Sequence, residues 1–233
     1  MVLSLSAQRQ MYVWQDGVKT TYEVANVDSI TFSKVENSDP ETGNHEYVDL
    51  GLSVKWATCN VGATKPEESG NYFAWGETEP KSTYNWSNYK YCNGSSTSLT
   101  KYCTHPFDGT VDNKTQLELS DDAARANWGG SWRMPTRAEL EELREQCTWT
   151  WTVLGYKVTS KKSGYTNKSI FLPAAGYRDD SSRNNAGRDG YYWSSSINTY
   201  GPSDAYHLYF NSYNVGSYHD DRYYGQSVRP VCQ

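Results

Sequence analysis

Residues 176–225 read GYRDDSSRNNAGRDGYYWSSSINTYGPSDAYHLYFNSYNVGSYHDDRYYG. Ten of the chain's 20 tyrosines fall here, interleaved with Asn, Ser, Asp and Gly. The stretch contains no Lys, Glu or Met: Lys168 is the last lysine, Glu145 the last glutamate and Met134 the last methionine. A run this polar and this aromatic does not describe a core. Tyr supplies large, rigid contact area at low entropy cost, and Ser, Gly and Asn supply adaptable hydrogen bonding, as in antibody-like contact surfaces. The stretch is expected to present a binding surface that the rest of the chain holds still. Within it, Tyr206, Leu208 and Phe210 alternate with His207, Tyr209 and Asn211. The first set is expected to face a core and the second the solvent.

The chain has 233 residues, a net charge of -5 and an apolar share of 36%. That length fits one large domain, or one domain with a small appendage. Mean hydropathy is low, at -0.82. Nine Trp and 20 Tyr offset it, because each aromatic side chain buries roughly 150–250 Å². No Lys/Arg block occurs, so the electrostatic footprint of a nucleic-acid binder is missing, as is a polybasic membrane patch. No run of 18 apolar residues exists, so no transmembrane segment is expected. The five cysteines, Cys59, Cys92, Cys103, Cys147 and Cys232, form no CxxC pair, which argues against a zinc ribbon or thioredoxin-type motif. Cys92 and Cys103 are close enough in sequence to close a local loop, and Cys59 and Cys232 to staple the ends of the main domain. Five reduced thiols are the alternative, and sequence leaves the pairing open.

Residues 1–9 resemble the tail of a signal peptide, an apolar end followed by small residues without the charged start. Residues 10–32 read as a small β-hairpin extension. Met11–Gln15 and Val18–Val24 flank Asp16-Gly17, a dipeptide suited to a type I′ turn, and Val27–Phe32 adds a third short strand. Residues 33–45 are polar, with Pro and Gly, and read as a linker. The main domain spans 46–233. Ser120 is placed to cap a first helix over SDDAARANW. Thr136 and Glu139 form a T-x-x-E capping box for a second, which aligns Leu140, Leu143 and Cys147 on one face. Trp149–Val153, Tyr156–Thr159, SIFLPAAGY and SVRPVC read as short strands. Two helices, short mixed strands and long loops give an α+β class.

Six motifs in order now carry a resemblance: VDLGLSVKWATCNVGA, GNYFAWGETEP, GGSWRMPT with its helix, SIFLPAAGYR, YYWSSS and SVRPVC. Together they resemble the Fibrobacter-type major paralogous domain of Bacteroidetes proteins over residues 46–233. That resemblance implies a C-type-lectin-like fold, on the branch related to formylglycine-generating enzymes. It also implies that the first and last strands pair.

The stretch 176–225 further resembles the variable region of proteins diversified by diversity-generating retroelements. There, adenine-directed mutagenesis of AAY codons yields Asn, Tyr, Ser, Asp, Gly, His and Arg, but not Lys, Glu, Met, Gln or Trp. The stretch lacks Lys, Glu, Met and Gln, and its one Trp, Trp193, lies in the WSSS motif. The resemblance places Arg183, Asn184, Asn185, Arg188, Asp189, Asn198, Tyr200, Ser203, Asp204, His207, Asn211, Tyr213, Tyr218, His219, Asp220 and Asp221 on an exchangeable ligand-binding face. Trp193, Ser194, Ser195, Leu208, Phe210, Val228 and Val231 become scaffold.

Catalysis finds little support in the residues. The EPN or QPD and WND motifs of calcium-dependent lectins are absent. Oxidase chemistry of the formylglycine-generating type needs a pair of C-terminal cysteines, and only Cys232 lies late in the chain. His45, His105, His207 and His219 form no metal-ligand spacing, and no nucleophile-elbow motif occurs. No metal, no cofactor and no enzymatic activity are expected. The expected role is a secreted or cell-surface variable protein, of a bacterium or a phage, that recognises a protein or glycan. The alternative is an adhesin or envelope component with a fixed face.

Overall fold

The computed structural model describes residues 10–15, 18–23 and 43–233. The chain divides into two units, Met1–Asn37 and Ser38–Gln233. In the first, β1 (Gln10–Gln15) and β2 (Val18–Glu23) pair antiparallel, with Gln15 opposite Val18. The residues proposed for the signal-peptide remnant (1–9), the turn dipeptide (16–17), the third strand (27–32) and most of the linker (33–42) lie outside the described residues.

The second unit opens with β3 (Tyr47–Val48) and β4 (Lys55–Ala57). A long irregular segment follows, broken by 3₁₀ turns at Trp86–Asn88 and Leu119–Asp121. Then come α1 (Ala123–Trp128) and α2 (Arg137–Gln146). Strands β5 (Cys147–Thr152), β6 (Gly155–Ser160) and β7 (Ser169–Pro173) form one antiparallel meander. A short hairpin of β8 (Tyr177–Asp179) and β9 (Ser182–Asn184) follows. Next is a second meander of β10 (Gly190–Ile197), β11 (Asp204–Asn211) and β12 (Asn214–Asp221). The final strand, β13 (Val231–Cys232), lies against β4, with Val231 opposite Trp56.

This architecture corrects the expected α+β class and lectin-like fold. Strand accounts for 36% of the chain and helix for 11%, so the protein is mostly β. The sheets of the second unit are four, small and antiparallel, where mixed strands were expected. The physical reason lies in the stretch 176–225. Despite its Gly, Asn and Ser content, most of it folds as β8 to β12. The β-favouring Tyr, Trp and Phe residues pair across strands there and override the weak intrinsic preferences of their neighbours.

Two helix starts illustrate the local rules. Thr136 and Glu139 make the capping box reciprocally: Glu139 N–H donates to Thr136 Oγ1 (3.2 Å) and Thr136 N–H to Glu139 Oε2 (2.7 Å). For α1 the cap is Asp122 in place of Ser120. Its Oδ1 accepts from the Arg125 N–H at 3.0 Å, and its Oδ2 from the Met134 N–H at 2.8 Å. That second bond comes from a residue far along the chain and selects Asp122 over the serine.

The β10–β12 sheet separates two apolar cores. Trp193, Ile197 and Ala205 belong to the core around Trp75 and Tyr102. Tyr192, Leu208 and Phe210 belong to the core around Trp56, Leu140 and Leu143. Gly190 makes the second packing possible: a Cβ there would lie 2.1 Å from Phe210 Cζ. Phe210 instead stacks on Tyr192, with centroids 5.8 Å apart. All the scaffold positions, Trp193, Ser194, Ser195, Leu208, Phe210, Val228 and Val231, are buried.

Two fully buried arginines fix the C-terminal segment. Arg229 Nε donates to Asn60 Oδ1 at 2.8 Å, and its terminal nitrogens donate to the carbonyls of Ala57, Thr58 and Phe171. Arg222 Nη1 donates to the Tyr102 carbonyl at 2.9 Å, and the guanidinium lies over the rings of Trp75 and Tyr89. Burying a cation is costly, and Arg222 meets that cost with two backbone carbonyls and two ring faces while its Nε has no hydrogen-bond partner. Tyr223 and Tyr224, next in the chain, are half-buried.

None of the five cysteines is in a disulfide, so neither suggested bridge forms.

Candidate ligand-binding face

The register of the second meander puts Tyr191 opposite Tyr209, and His207 opposite Trp193 on one side and Tyr218 on the other. Side chains two apart on a strand share a face, so these residues gather on one side of the sheet. Tyr191 meets Tyr209 with ring centroids 5.0 Å apart, and Tyr209 meets Tyr218 at 5.6 Å. Gly216, opposite Tyr209, makes room for this: a Cβ there would sit 2.6 Å from Tyr218 Cε2.

The row continues beyond the sheet. Tyr177 of β8 contacts Tyr191 at 4.9 Å and Tyr224 at 5.4 Å. Tyr224 contacts Tyr223 at 4.4 Å, and Tyr223 contacts Trp86 at 5.2 Å. These separations are those of attractive aromatic pairs. The result is a belt of six tyrosines and a tryptophan drawn from four separate parts of the chain. Its members are half-buried, apart from the exposed Tyr218, so ring faces pack while edges and hydroxyls stay reachable.

The hydroxyl chemistry suits recognition. Tyr209 Oη accepts from Asn211 Nδ2 at 2.8 Å, and Tyr218 Oη accepts from Asn214 Nδ2 at 2.9 Å. Both O–H groups remain to donate outward. Burial pushes the Tyr191 phenol up to about 12, so it stays neutral and a donor.

Carboxylates border the belt. Asp179, Asp189 and Asp220 act electrostatically on Tyr177, and Asp179, Asp220 and Asp221 on Tyr224. Burial, then repulsion from Asp221 and Asp204, pushes the Asp220 carboxyl up to about 7. Burial, then Asp204 and Asp179, pushes Asp221 up to about 6. Among the described residues no group of three His, Cys, Asp or Glu side chains could hold a metal ion.

The residues expected on the exchangeable face are divided by the structure. Asn185, Asp189, Tyr218 and Asp220 lie at or beside the belt. Asn184 on β9 and Arg188 in the following loop are near neighbours of Asn185 in sequence, and Arg188 donates to Asn185 Oδ1 at 2.7 Å. Asn211 and Tyr213 sit at the β11–β12 turn, with Tyr213 96% exposed. Asn198, Tyr200 and Ser203 sit in the β10–β11 connection, at the opposite end of the sheet. Eight strand residues separate those ends, roughly 25 Å at about 3.3 Å per residue. There Tyr200 lines a cleft of about 680 Å³ with Arg137, Glu141 and Tyr206. His219 pairs with Asp204 at 2.8 Å, and Asp221 lies opposite Asp204. Arg183 points into a separate cleft described below.

Three of these residues are buried, contrary to expectation. His207 is 2% exposed, packed on Trp193 and Tyr191 beneath the belt. The expected alternation holds for Leu208 and Phe210 but fails at Tyr206 and His207. Both faces of the sheet are covered there: Arg137 of α2 lies 3.8 Å from the Tyr206 ring on one side, and the Trp193 core takes His207 on the other. Burial holds the His207 imidazole down to about 3 and therefore neutral. Asn198 is buried because it organises its loop: its N–H donates to the Asp204 carbonyl, and its Oδ1 accepts from the Tyr200 N–H. Asp189 is buried where its carbonyl accepts from the Gly176 N–H at 2.7 Å.

Five belt tyrosines were not among the expected site residues. Alternation alone places Tyr209 on the outer face. Tyr191 adjoins Tyr192 in the chain, but the two point to opposite sides: Tyr192 is buried and donates to the Pro173 carbonyl at 2.7 Å. Tyr177, Tyr223 and Tyr224 have no local signal, because the fold alone brings them alongside.

Residues 158–231 match the model of a family described as a domain of unknown function (DUF8237). The matched segment contains every tyrosine of the belt. No curated protein and no solved structure matches the chain. Among the described residues no helix is long and apolar enough to cross a membrane.

Proposed function

We propose that this protein binds a protein or glycan partner through the Tyr-rich belt, by recognition without catalysis. One observation carries the reading: Trp86, Tyr223, Tyr224, Tyr177, Tyr191, Tyr209 and Tyr218 form an unbroken chain of ring contacts at the surface. A core would bury such rings completely, as it buries Tyr192 and Trp193. Half-buried rings are already immobilised, so a partner that covers them meets a face with little rotamer entropy left to lose. Apolar ring faces beside carboxylate acceptors suit a sugar's C–H face and hydroxyls, or the Lys, Arg and Tyr side chains of a protein.

The resemblance to retroelement-diversified proteins supports an exchangeable face of a secreted or surface-displayed protein. A rigid two-core framework lets side chains around the belt change while the backbone persists.

The test replaces Tyr177, Tyr209 and Tyr218 together by Ser. Wild type and variant are compared on a glycan array and against a displayed peptide library, with melting temperature as the folding control. Discrete binding by the wild type and its loss in a folded variant is the expected result. Equal binding by both would remove the belt from the function. Sequencing alleles from one population adds a second reading: variation should collect at belt and rim positions and spare Tyr192, Trp193, Leu208 and Phe210.

A further inference from the structure

Across the β8–β9 hairpin, Arg178 stands directly opposite Arg183. Like charges facing each other across a strand pair oppose its formation. Several other cations have carboxylate partners: Arg133 with Glu139, Arg144 with Glu141, Lys101 with Asp121, Lys81 with Glu77. Neither Arg178 nor Arg183 makes an ion pair among the described residues. Arg183 donates only to neutral oxygens, Ser69 Oγ at 2.8 Å and the Ala175 carbonyl at 3.4 Å. Both guanidinium groups lie over one ring, that of Tyr72, at 5.4 and 5.6 Å from its centroid.

The surrounding structure holds them in place. The Arg178 backbone is bonded to Gly225 in both directions, N–H to carbonyl at 2.7 and 3.0 Å. The Tyr72 hydroxyl is anchored by donation to the Ala175 carbonyl at 2.6 Å. The two arginines share a cleft of about 490 Å³ with Ser69, Asn71, Lys81 and Ser82. A chain of net charge -5 thus keeps two unneutralised guanidinium groups side by side in a concave site.

We infer that this cleft is an oxyanion-binding subsite, which takes the carboxylate or sulfate group of a small acidic ligand such as an acidic saccharide. Guanidinium forks match both groups through paired N–H donors. Ser69, Asn71 and Ser82 add polar partners for hydroxyls on the ligand body, and the cleft is of the size that small-molecule sites occupy. The anion would relieve the Arg178–Arg183 repulsion, so its binding is coupled to the stability of the hairpin. The site is distinct from the belt. On the hairpin, Tyr177 faces the belt while Arg178 and Arg183 share the other side.

The test is isothermal titration of the full chain with D-glucuronate and with glucose 6-sulfate, at constant ionic strength, with D-glucose as the neutral control. At least one acidic sugar is expected to bind saturably, and glucose is not. Which acidic sugar binds identifies the group that the cleft prefers. R183Q, on an exposed residue, and the double variant R178Q/R183Q are each expected to weaken binding by roughly tenfold or more. The Tyr177, Tyr209 and Tyr218 triple variant is expected to leave it unchanged, which separates this site from the belt. No saturable binding of either acidic sugar, or equal binding by wild type and R183Q, overturns the inference.

Discussion

Replacing Asp220 by Asn removes a carboxylate that the folded protein holds in an unfavourable place. Burial comes first among the causes, followed by Asp221 and Asp204, and together they raise its carboxyl from 3.8 to about 7. A raised folded pKa means that the native state binds a proton more tightly than the unfolded chain. Below about pH 4 the carboxyl is protonated in both states. As pH rises from about 4 towards about 7, the unfolded chain releases its proton and the native state resists, so stability falls. At about 1.4 kcal/mol per pH unit, the span from 3.8 to about 7 sets a ceiling of about 4 kcal/mol. The side chain is half-buried, and water screens it, so ~1–2 kcal/mol is the working figure. For a unit of this size that is about 3–6 °C in melting temperature. The assay is thermal unfolding of wild type and D220N between about pH 4.5 and about pH 7.5. The gap should be small at the acid end and should open in favour of D220N as pH rises. A gap that stays constant with pH, or a wild type more stable than D220N at about pH 7.5, would refute the reasoning.

His207 should act in the opposite sense. Its folded imidazole, held down to about 3 by burial, refuses a proton that the unfolded chain accepts below about pH 6.5. H207F should therefore lose less stability than wild type between about pH 6.5 and about pH 4, read by urea unfolding at each pH. Gly190→Ala puts a methyl group 2.1 Å from Phe210 Cζ and should cost about 1–3 kcal/mol by overpacking; chemical denaturation measures it, and a neutral outcome would show that Phe210 can move. Thiol titration should count five reactive cysteines after unfolding and far fewer in the native state. Cys147 should stay silent in the native state, since it is buried and burial pushes its thiol up to about 11.

Sequence alone determined the parts that depend on near neighbours. The Thr136–Glu139 capping box, the apolar face of Leu140 and Leu143, and the strand character around Trp149, Tyr156 and Phe210 follow from local spacing and propensity. The composition of 176–225, Tyr with Asn, Ser and Gly, suits the contact surface proposed for it. Tertiary structure decided the rest. The mostly-β class emerged because aromatic side chains pair across the strands of two three-stranded meanders, while the helices stay short. His207 and Tyr206 exchanged their expected environments because α2 covers one face of the strand and the Trp193 core the other, and alternation cannot say which faces are covered. Tyr177, Tyr223 and Tyr224 join Tyr191, Tyr209 and Tyr218 because Arg222 is buried against Trp75 and Tyr89 and β8 lies beside Gly225. Those contacts link residues with no periodic relation to one another. The stretch 176–225 therefore specifies what the surface is made of, and only the packing of its strands specifies which tyrosines it presents.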